Sequence, residues 1–399
     1  MLLRILVCIC FISYPFGVFS MEDDSDELQN KKYTITHLRE NVWIDHLPKD
    51  IWIDEIIFFL SSKEKYALSQ MCSFFSTLCN DSILWKDPIH LRYEHLAKIK
   101  KTSFPLRNIV TVNEPMPIEI DALQNITYLT ELRALDLKQW TGVNVTVLGN
   151  ILEACPLLGT LKVRGEGLND EALTLISTRN NLRTLYFQNA TLSAQSSVAF
   201  GNLTSLTDLS LWKTKGVPFR ALSSLTNLHA LDIPKIGLSD NDLDFCTNLT
   251  KLVDFRLAGN PISDKGLSHL APLTNLNVLH LGYTQITERG LKATLLFFPD
   301  LKELSLVKLS FNNQEDPLNF SQLTSLKTLD LSMAQVSPTH ISSLTGIKDL
   351  RFYDVELTEK HLESFKSLTD LTTLTVSRSI GQSLGQRLQK ALPNLKVFY

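Results

Sequence analysis

A motif that recurs every 24 residues constrains this chain more than any other feature. It reads Leu-x-x-(Leu/Phe)-x-Leu, and it occurs at 252–257 and again 24 residues later at 276–281. Its alternation predicts a strand with one buried face. The intervening segment 262–270 has helical spacing and begins with Ser263 as an N-cap. Because such a strand and helix cannot bury their apolar faces alone, each unit must stack on neighbouring copies.

Further copies of the motif run through most of the chain. Its first apolar positions are 106, 132, 158, 182, 206, 228, 252, 276, 301, 326, 347, 371 and 395. The pattern resembles the leucine-rich repeat family, which implies an α/β solenoid with parallel strands on its concave face and short helices on its convex face. The family's Asn at the end of the motif occurs only as Asn260. The other turns must therefore close through different contacts.

The composition and the absence of known motifs argue against several classes of function. A net charge of −3 and a pI near 6.3 give no electrostatic reason to expect nucleic acid or an anionic membrane as a partner. The cysteines outside the leader show neither metal-binding spacing nor disulfide-rich caps, which favours a reducing compartment. No phosphate-binding loop, zinc-protease or nucleophile motif is present. We therefore expect no enzyme activity, no catalytic residue, no metal and no cofactor.

The leader, residues 1–20, has the form of a signal peptide. Arg4 precedes an apolar run that ends at Val18-Phe19-Ser20. The run is too short for a stable membrane span. The alternative is that translation begins at Met21 and the leader is a misassigned start. Residues 21–42 are acidic and polar at first, and this composition predicts disorder.

Residues 43–93 have a different pattern. Leu47-Pro48 opens an apolar helical stretch that ends at Leu60, followed by a helix with Leu68 and Cys72, and the segment closes at Leu84-Trp85. This order resembles the F-box, a small all-α module, although Tyr66-Ala67 departs from the usual Asp-Leu. A plain helical cap on the open end of the solenoid is the alternative reading.

The F-box resemblance implies a contact with a Skp-family adaptor, and through it with a cullin. By residue matching, the adaptor-binding residues are Leu47, Pro48, Ile51, Ile56, Ile57, Leu60 and Leu68. Residues 94–131 then form a junction and capping repeat. The basic stretch 86–101 lacks interleaved aromatic residues, so we interpret it as a solvated helix face and not as a nucleic-acid site.

The repeats proper span residues 132–399. Residues between the apolar positions of each strand point to the concave face. From this face we select candidate target-binding residues: Tyr186, Trp212, Asp232, Arg256, His280 and Tyr353. Thirteen strands give a face of roughly 60 Å, which suits a protein partner better than a small ligand.

Two functions follow from these features. The F-box resemblance implies a substrate-recognition subunit of a cullin–RING ubiquitin ligase in the cytoplasm, with an unknown protein target on the concave face. The leader, together with Asn-x-Ser/Thr sequons such as Asn144 and Asn202, favours a secreted or surface protein-binding module. A bacterial effector delivered into a host cytosol, using the host ubiquitin system there, would reconcile the two.

Overall fold

The computed structural model describes the repeat region of the chain. Described residues are 125–128, 132–138, 142–311, 318, 320–336, 340, 342, 344, 346–355, 359–377 and 386–398. The leader, the F-box-like segment 43–93 with all seven predicted adaptor contacts, and the motif beginning at Leu106 lie outside these residues. Predictions on those segments therefore remain predictions.

A parallel sheet runs the length of the described region. Its twelve described strands pair in chain order, each with its sequence neighbours. They are β1 (Ala134–Asp136), β2 (Thr160–Arg164), β3 (Thr184–Gln188), β4 (Asp208–Ser210), β5 (Ala230–Asp232), β6 (Asp254–Arg256), β7 (Val278–His280), β8 (Glu303–Ser305), β9 (Thr328–Asp330), β10 (Asp349–Phe352), β11 (Thr373–Val376) and β12 (Lys396–Phe398). Each strand corresponds to one predicted motif, from Leu132 to Leu395, so the solenoid prediction is confirmed there.

Apolar residues of the motif form the core. The middle apolar position of β1 to β11 is at most 3% exposed, as at Leu185, Leu231 and Leu279. Phe255 occupies this position in β6, and Phe187 occupies the next apolar position in β3; both rings are fully buried. Since side chains alternate along a strand, burying one row leaves the next row on the opposite face of the sheet. The core therefore fixes which residues the concave face presents.

Short helices cover the other side of the sheet. The α-helices are α1 (Val145–Ala154), α2 (Asp170–Ser177), α3 (Ser197–Asn202), α4 (Asp264–Leu267), α5 (Glu288–Leu295) and α6 (Glu359–Lys366). Segments of 3-10 helix occur at Asn125–Tyr128, Ala194–Ser196, Phe219–Ser224, Asp240–Asn248, Ser268–Leu270 and Phe320–Gln322, the second directly before α3 and the fifth directly after α4. The Ser263 hydroxyl accepts a hydrogen bond from the Lys265 N–H, which confirms the predicted N-cap of α4.

The turns after the strands close mainly through backbone bonds. A left-handed residue follows most strands, with φ of 59° at Asn189, 74° at Gly259 and 57° at Tyr283. Its N–H donates to a carbonyl of the next repeat, as from Tyr283 to Val307 at 2.8 Å. Asn260 adds to this in one repeat: it accepts from the N–H groups of Ile236 and Leu238 at 3.0 and 3.2 Å. Its amide also donates to two carbonyls at 2.8 Å.

Carboxylates on the helical side join successive repeats. Asp264 accepts from both the N–H and the hydroxyl of Thr287, at 2.8 and 2.6 Å. Asp170 likewise accepts hydrogen bonds from the N–H and the hydroxyl of Ser193, and Asp240 accepts the same two bonds from Ser263. Each acceptor therefore fixes the residue that caps or precedes the next repeat's helix. This pairing of one repeat with the next adds to the sheet hydrogen bonds on the other side.

Buried cysteines contribute to packing. Cys155, at the end of α1, and Cys246 both carry thiol groups and have 0% exposure. Burial raises the pKa of Cys155 to about 11 and that of Cys246 to about 12. Both therefore remain thiols at neutral pH, and a thiol is a poor nucleophile. The interpretation of Cys155 as a small buried thiol is confirmed.

Candidate functional site

The middle row of the concave face forms one continuous register line. Cα pairing joins each member to the next along the sheet. The line runs Asp136, Lys162, Tyr186, Ser210, Asp232, Arg256, His280, Ser305, Asp330, Arg351, Thr375 and Phe398. The sequence-predicted row thus lies on neighbouring strands in the predicted order.

The candidate target-binding residues fall into two groups. Tyr186, Asp232, Arg256 and His280 lie on this line within β3–β7, with Ser210 between the first two. Trp212 lies two residues beyond Ser210 and borders the same area. Tyr353 follows β10 and is six strands from the Trp212 repeat, a path of roughly 29 Å along the sheet. The structure therefore places five of the six in the consecutive repeats of β3–β7, with Tyr353 three strands beyond His280.

Cations surround the two aromatic rings at the N-terminal end of the face. Lys162 and Lys138 have their ammonium groups 4.7 and 5.4 Å from the Tyr186 ring centroid. Lys213 and Arg164 lie 4.4 and 5.5 Å from the Trp212 ring. Such contacts hold a cation over the electron-rich face of a ring without neutralising it. We call these residues the cation–aromatic cluster: Lys138, Lys162, Arg164, Tyr186, Trp212 and Lys213.

Carboxylates neutralise this cluster only in part. Asp136 lies 3.6 Å from Lys138 and 3.9 Å from Lys162. Among the described residues, no carboxylate lies within salt-bridge distance of Arg164 or Lys213. The cluster therefore carries net positive charge. Of this cluster, the sequence pattern identified only the two rings as candidate target-binding residues.

A hydrogen-bonded chain connects β3 to β5 beside Tyr186. The Gln188 amide donates to the Ser210 hydroxyl at 2.8 Å, and that hydroxyl donates to Asp232 at 2.9 Å. Burial raises the pKa of Asp232, although the Ser210 hydrogen bond and Arg256 oppose this shift. Burial also raises the pKa of Tyr186, assisted by the nearby carboxylates Asp208 and Asp232. Tyr186 is thus a neutral phenol at physiological pH.

Farther along the sheet, cations pair with carboxylates of their own or the next strand. Arg256 donates two hydrogen bonds of 2.9 Å to Asp254, and Arg351 donates one of 2.8 Å to Asp349. The His280 ring is 2.8 Å from Glu303. Sequence analysis missed this acidic row. The sequence did contain the information needed to predict the two Arg pairs. Both read Asp-x-Arg, and residues i and i+2 of a strand point to the same face.

The left-handed turn residues form one rim of the concave face. Tyr283 and Met333 are exposed by 44% and 37%, and the Tyr283 hydroxyl lies 3.1 Å from the Met333 sulfur. Lys308 and Lys235 flank the Tyr283 ring at 5.5 and 5.9 Å. Tyr353, exposed by 56%, supplies the carbonyl that bonds the Met333 N–H. The rim therefore presents Tyr283 and Met333 together with lysines, at the opposite end of the strands from Asp254, Glu303 and Asp349.

A cavity of about 700 Å³ opens on the helical side. It lies between α3 and the segment Phe219–Ser224, with Pro218 and Arg220 in its lining, and it is open to solvent. Within the described region, no cluster of three metal-ligating side chains occurs. Among the same residues, no helix has the length and hydropathy needed to cross a membrane.

No protein-family model and no curated protein sequence matches the chain. Solved structures do resemble it. Internalin InlF from Listeria monocytogenes str. 4b F2365 aligns with a TM-score of 0.50 and 21% identity over 77% of this chain and 93% of that one. Internalin C2 of the same strain gives 0.36 and 21% over 59% and 84%. TLR13, solved in complex with ssRNA13, gives 0.47 and 23% over 69% of this chain and 40% of that one.

The sheet topology and the alignment with internalin InlF define the fold. The described region is a leucine-rich-repeat solenoid, with a parallel sheet on its concave face and short helices behind it. At 21% identity the internalin InlF alignment shows a shared fold and nothing about ligands. What this solenoid binds has to be argued from its own surface.

Proposed function

We propose that the chain is a non-catalytic protein-binding protein whose concave face holds a target. One observation carries this proposal: the face is an open, twelve-strand surface with half-exposed aromatic and charged side chains in register. Small ligands prefer enclosed cavities, whereas an extended surface with Trp, Tyr and Arg at its centre suits a protein partner. Tyr186, Trp212, Asp232, Arg256 and His280 are the residues proposed to contact the target.

We further propose that the target is presented to a cullin–RING ubiquitin ligase. This part rests on the sequence of residues 43–93 and its resemblance to the F-box. The adaptor contact would involve Leu47, Pro48, Ile51, Ile56, Ile57, Leu60 and Leu68. The chain would then act by proximity, because holding the target beside the conjugating enzyme raises the effective concentration of its lysines. The proposed compartment is a cytoplasm, its own or that of a host.

A co-purification experiment tests the ligase role. The full chain is mixed with a Skp-family adaptor and a cullin, beside a Leu47→Ala/Pro48→Ala variant and a Trp212→Ala control. We expect the adaptor to be retained by the wild type and the control and lost by the double variant. A folded wild-type chain that retains no adaptor would contradict the ligase role while leaving protein binding by the solenoid intact.

A secreted or surface protein-binding module is the second candidate. The signal-like leader favours it, and so do the exposed sequon residues Asn144, Asn202 and Asn248. Expression in a secretory host distinguishes the two candidates. A shift in mass on glycosidase treatment, with the leader removed from the secreted protein, would support this alternative. Retention of an unprocessed, unglycosylated chain would count against it.

A further inference from the structure

We propose that the cation–aromatic cluster binds an acidic segment of a protein partner, in extended conformation, across β1–β4. This inference rests on the proposed protein-binding function and names the chemistry of the partner. Four cations lie around two rings within a few strands, whereas the acids described beside them are Asp136, Asp208 and Asp232. The cluster is therefore a positively charged area on a chain with a net charge of −3.

The aromatic rings position these cations without neutralising them, so a carboxylate of a partner can still bind them. Among the described residues, Lys213 and Arg164 lie over the Trp212 ring with no carboxylate within salt-bridge distance, and Lys138 and Lys162 share the single carboxylate of Asp136. Lys138 and Lys162 keep 31% and 28% of their side chains exposed, so both can be reached by a partner. Arg164 offers a planar fork of donors that suits a carboxylate held by two hydrogen bonds. These features describe a site for carboxylate groups bordered by apolar ring edges.

Geometry sets the length of the segment. From β1 to β4 the face spans three inter-strand gaps, or roughly 14 Å. An extended peptide rises about 3.3 Å per residue, so a segment of about four residues covers the cluster. Beyond β4 the face adds the carboxylate of Asp232, and Arg256 on β6 is already bonded to Asp254, so a longer run of negative charge gains no further cation on β5 or β6. The partner segment should therefore carry its acidic residues in a short group.

Nucleic acid is the competing polyanion, and the structure favours it less. Bases bind such surfaces by stacking on free aromatic faces. Here each ring already has two cations of this chain against it, at 4.4–5.5 Å. A strand of several nucleotides would also meet the carboxylates of Asp232 and Asp254. A short acidic peptide avoids both difficulties.

Binding of a labelled peptide of alternating Glu and Asp to the full chain tests the inference. The test variant is Lys162→Glu/Arg164→Glu. The matched control is Lys235→Glu/Lys308→Glu, which makes the same change of charge on the rim, beside Tyr283. We expect the test variant to bind about 10- to 100-fold more weakly than the wild type, with the control close to wild type and with binding falling as salt increases.

Three outcomes would overturn the inference. They are no binding of the acidic peptide, equal losses in the two variants, and tighter binding of a labelled oligothymidylate than of the peptide. Circular dichroism melts of all variants show that each remains folded. Adaptor co-purification of the wild type separates the proposals: a wild-type chain that retains the adaptor but does not bind the acidic peptide sinks this inference alone.

Discussion

The two halves of the concave face treat their positive charges differently. In β1–β4, Lys162 and Lys213 lie against aromatic rings. In β6–β10, Arg256 and Arg351 instead bond carboxylates two residues away on the same strand. The backbone is the same in both halves, since every strand pairs in the same register. The chemistry of the face is therefore set by the few residues between the apolar positions and not by the fold.

This difference has a physical consequence for binding. A cation already bonded to a carboxylate has to lose that partner before it can serve another, so its net gain is small. A cation held over a ring gives up less when a partner carboxylate approaches. The N-terminal half of the concave face is therefore the better binding surface for an acidic partner. In the C-terminal half the strand residues Arg256 and Arg351 are bonded to carboxylates. The cations that lie against a ring there, Lys235 and Lys308, belong to the rim beside Tyr283.

The boundary between the halves should be the most sensitive point of the sheet. Replacing Asn260 by Ala leaves the buried N–H groups of Ile236 and Leu238 without an acceptor and removes two donated bonds. We expect the free energy of unfolding to fall by about 2–4 kcal/mol, measured by urea denaturation.

Thr214 occupies the equivalent position in the N-terminal half and serves as the matched control. Its hydroxyl donates to the Phe187 carbonyl at 2.9 Å, so Thr214→Val should cost only about 1 kcal/mol. Equal losses in the two variants would show that Asn260 contributes no more than an ordinary turn residue. The halves would then be joined by the sheet alone.

Removal of an aromatic ring should weaken binding of the acidic peptide more in the N-terminal half of the concave face than in the C-terminal half. Trp212→Ala deletes the surface against which Lys213 and Arg164 pack, so the acidic peptide should bind about 10-fold more weakly or worse. Tyr353→Ala, at an exposed ring six strands away, should leave peptide binding unchanged. Fluorescence anisotropy measures both. A larger loss for Tyr353→Ala would reverse the assignment of the two halves.

The pH dependence of folding stability tests the environment of Asp232, a carboxylate of the concave face whose pKa is raised. Because burial raises its pKa above 3.8, the folded chain keeps this proton to higher pH than the unfolded chain. Its contribution to stability is therefore full below 3.8 and is lost as pH rises through the folded pKa. Asp232→Asn cannot lose a proton, so at neutral pH it should be more stable than the wild type by under about 1 kcal/mol.

Thermal melts at acidic and neutral pH measure this effect. The gain in stability of Asp232→Asn over the wild type should shrink as the pH falls. Asp136→Asn is a suitable control, since that carboxylate has two lysines close to it. A variant less stable than the wild type at neutral pH would show that the ionised Asp232 is favoured by its neighbours, with burial the smaller influence.

The smallest effect should come from the ion pairs of the C-terminal half. Arg256 and Asp254 are 40% and 27% exposed, so solvent screens their attraction. A double-mutant cycle with Arg256→Ala and Asp254→Ala should give a coupling of about 0.5 kcal/mol, decreasing with salt. Coupling well above that, unaffected by salt, would mean that the pair is a structural element of the sheet.

Sequence alone predicted the backbone well because the repeat imposes two strict periods. The spacing of 24 residues placed the strands, and alternation within each motif placed Tyr186, Asp232 and Arg256 on a single line. What it could not predict depends on side-chain geometry. That Lys162 lies over Tyr186, or that Asp264 bonds Thr287 in the next repeat, requires the distance between neighbouring strands and helices. The pairs Asp254/Arg256 and Asp349/Arg351 could have been found, because strand period alone puts them on one face.

The left-handed rim has a practical consequence for mutagenesis. Lys213, Lys235, Tyr283, Lys308 and Met333 all have φ between 55° and 61°, where a residue with a Cβ costs roughly 1 kcal/mol or more compared with glycine. Alanine scanning would retain that cost while removing the side chain. Glycine scanning removes both, so each rim side chain can be erased from the surface while the local backbone becomes easier to form. A loss of binding in such a glycine variant would then report on the missing side chain itself, free of any damage to the turn that carries it.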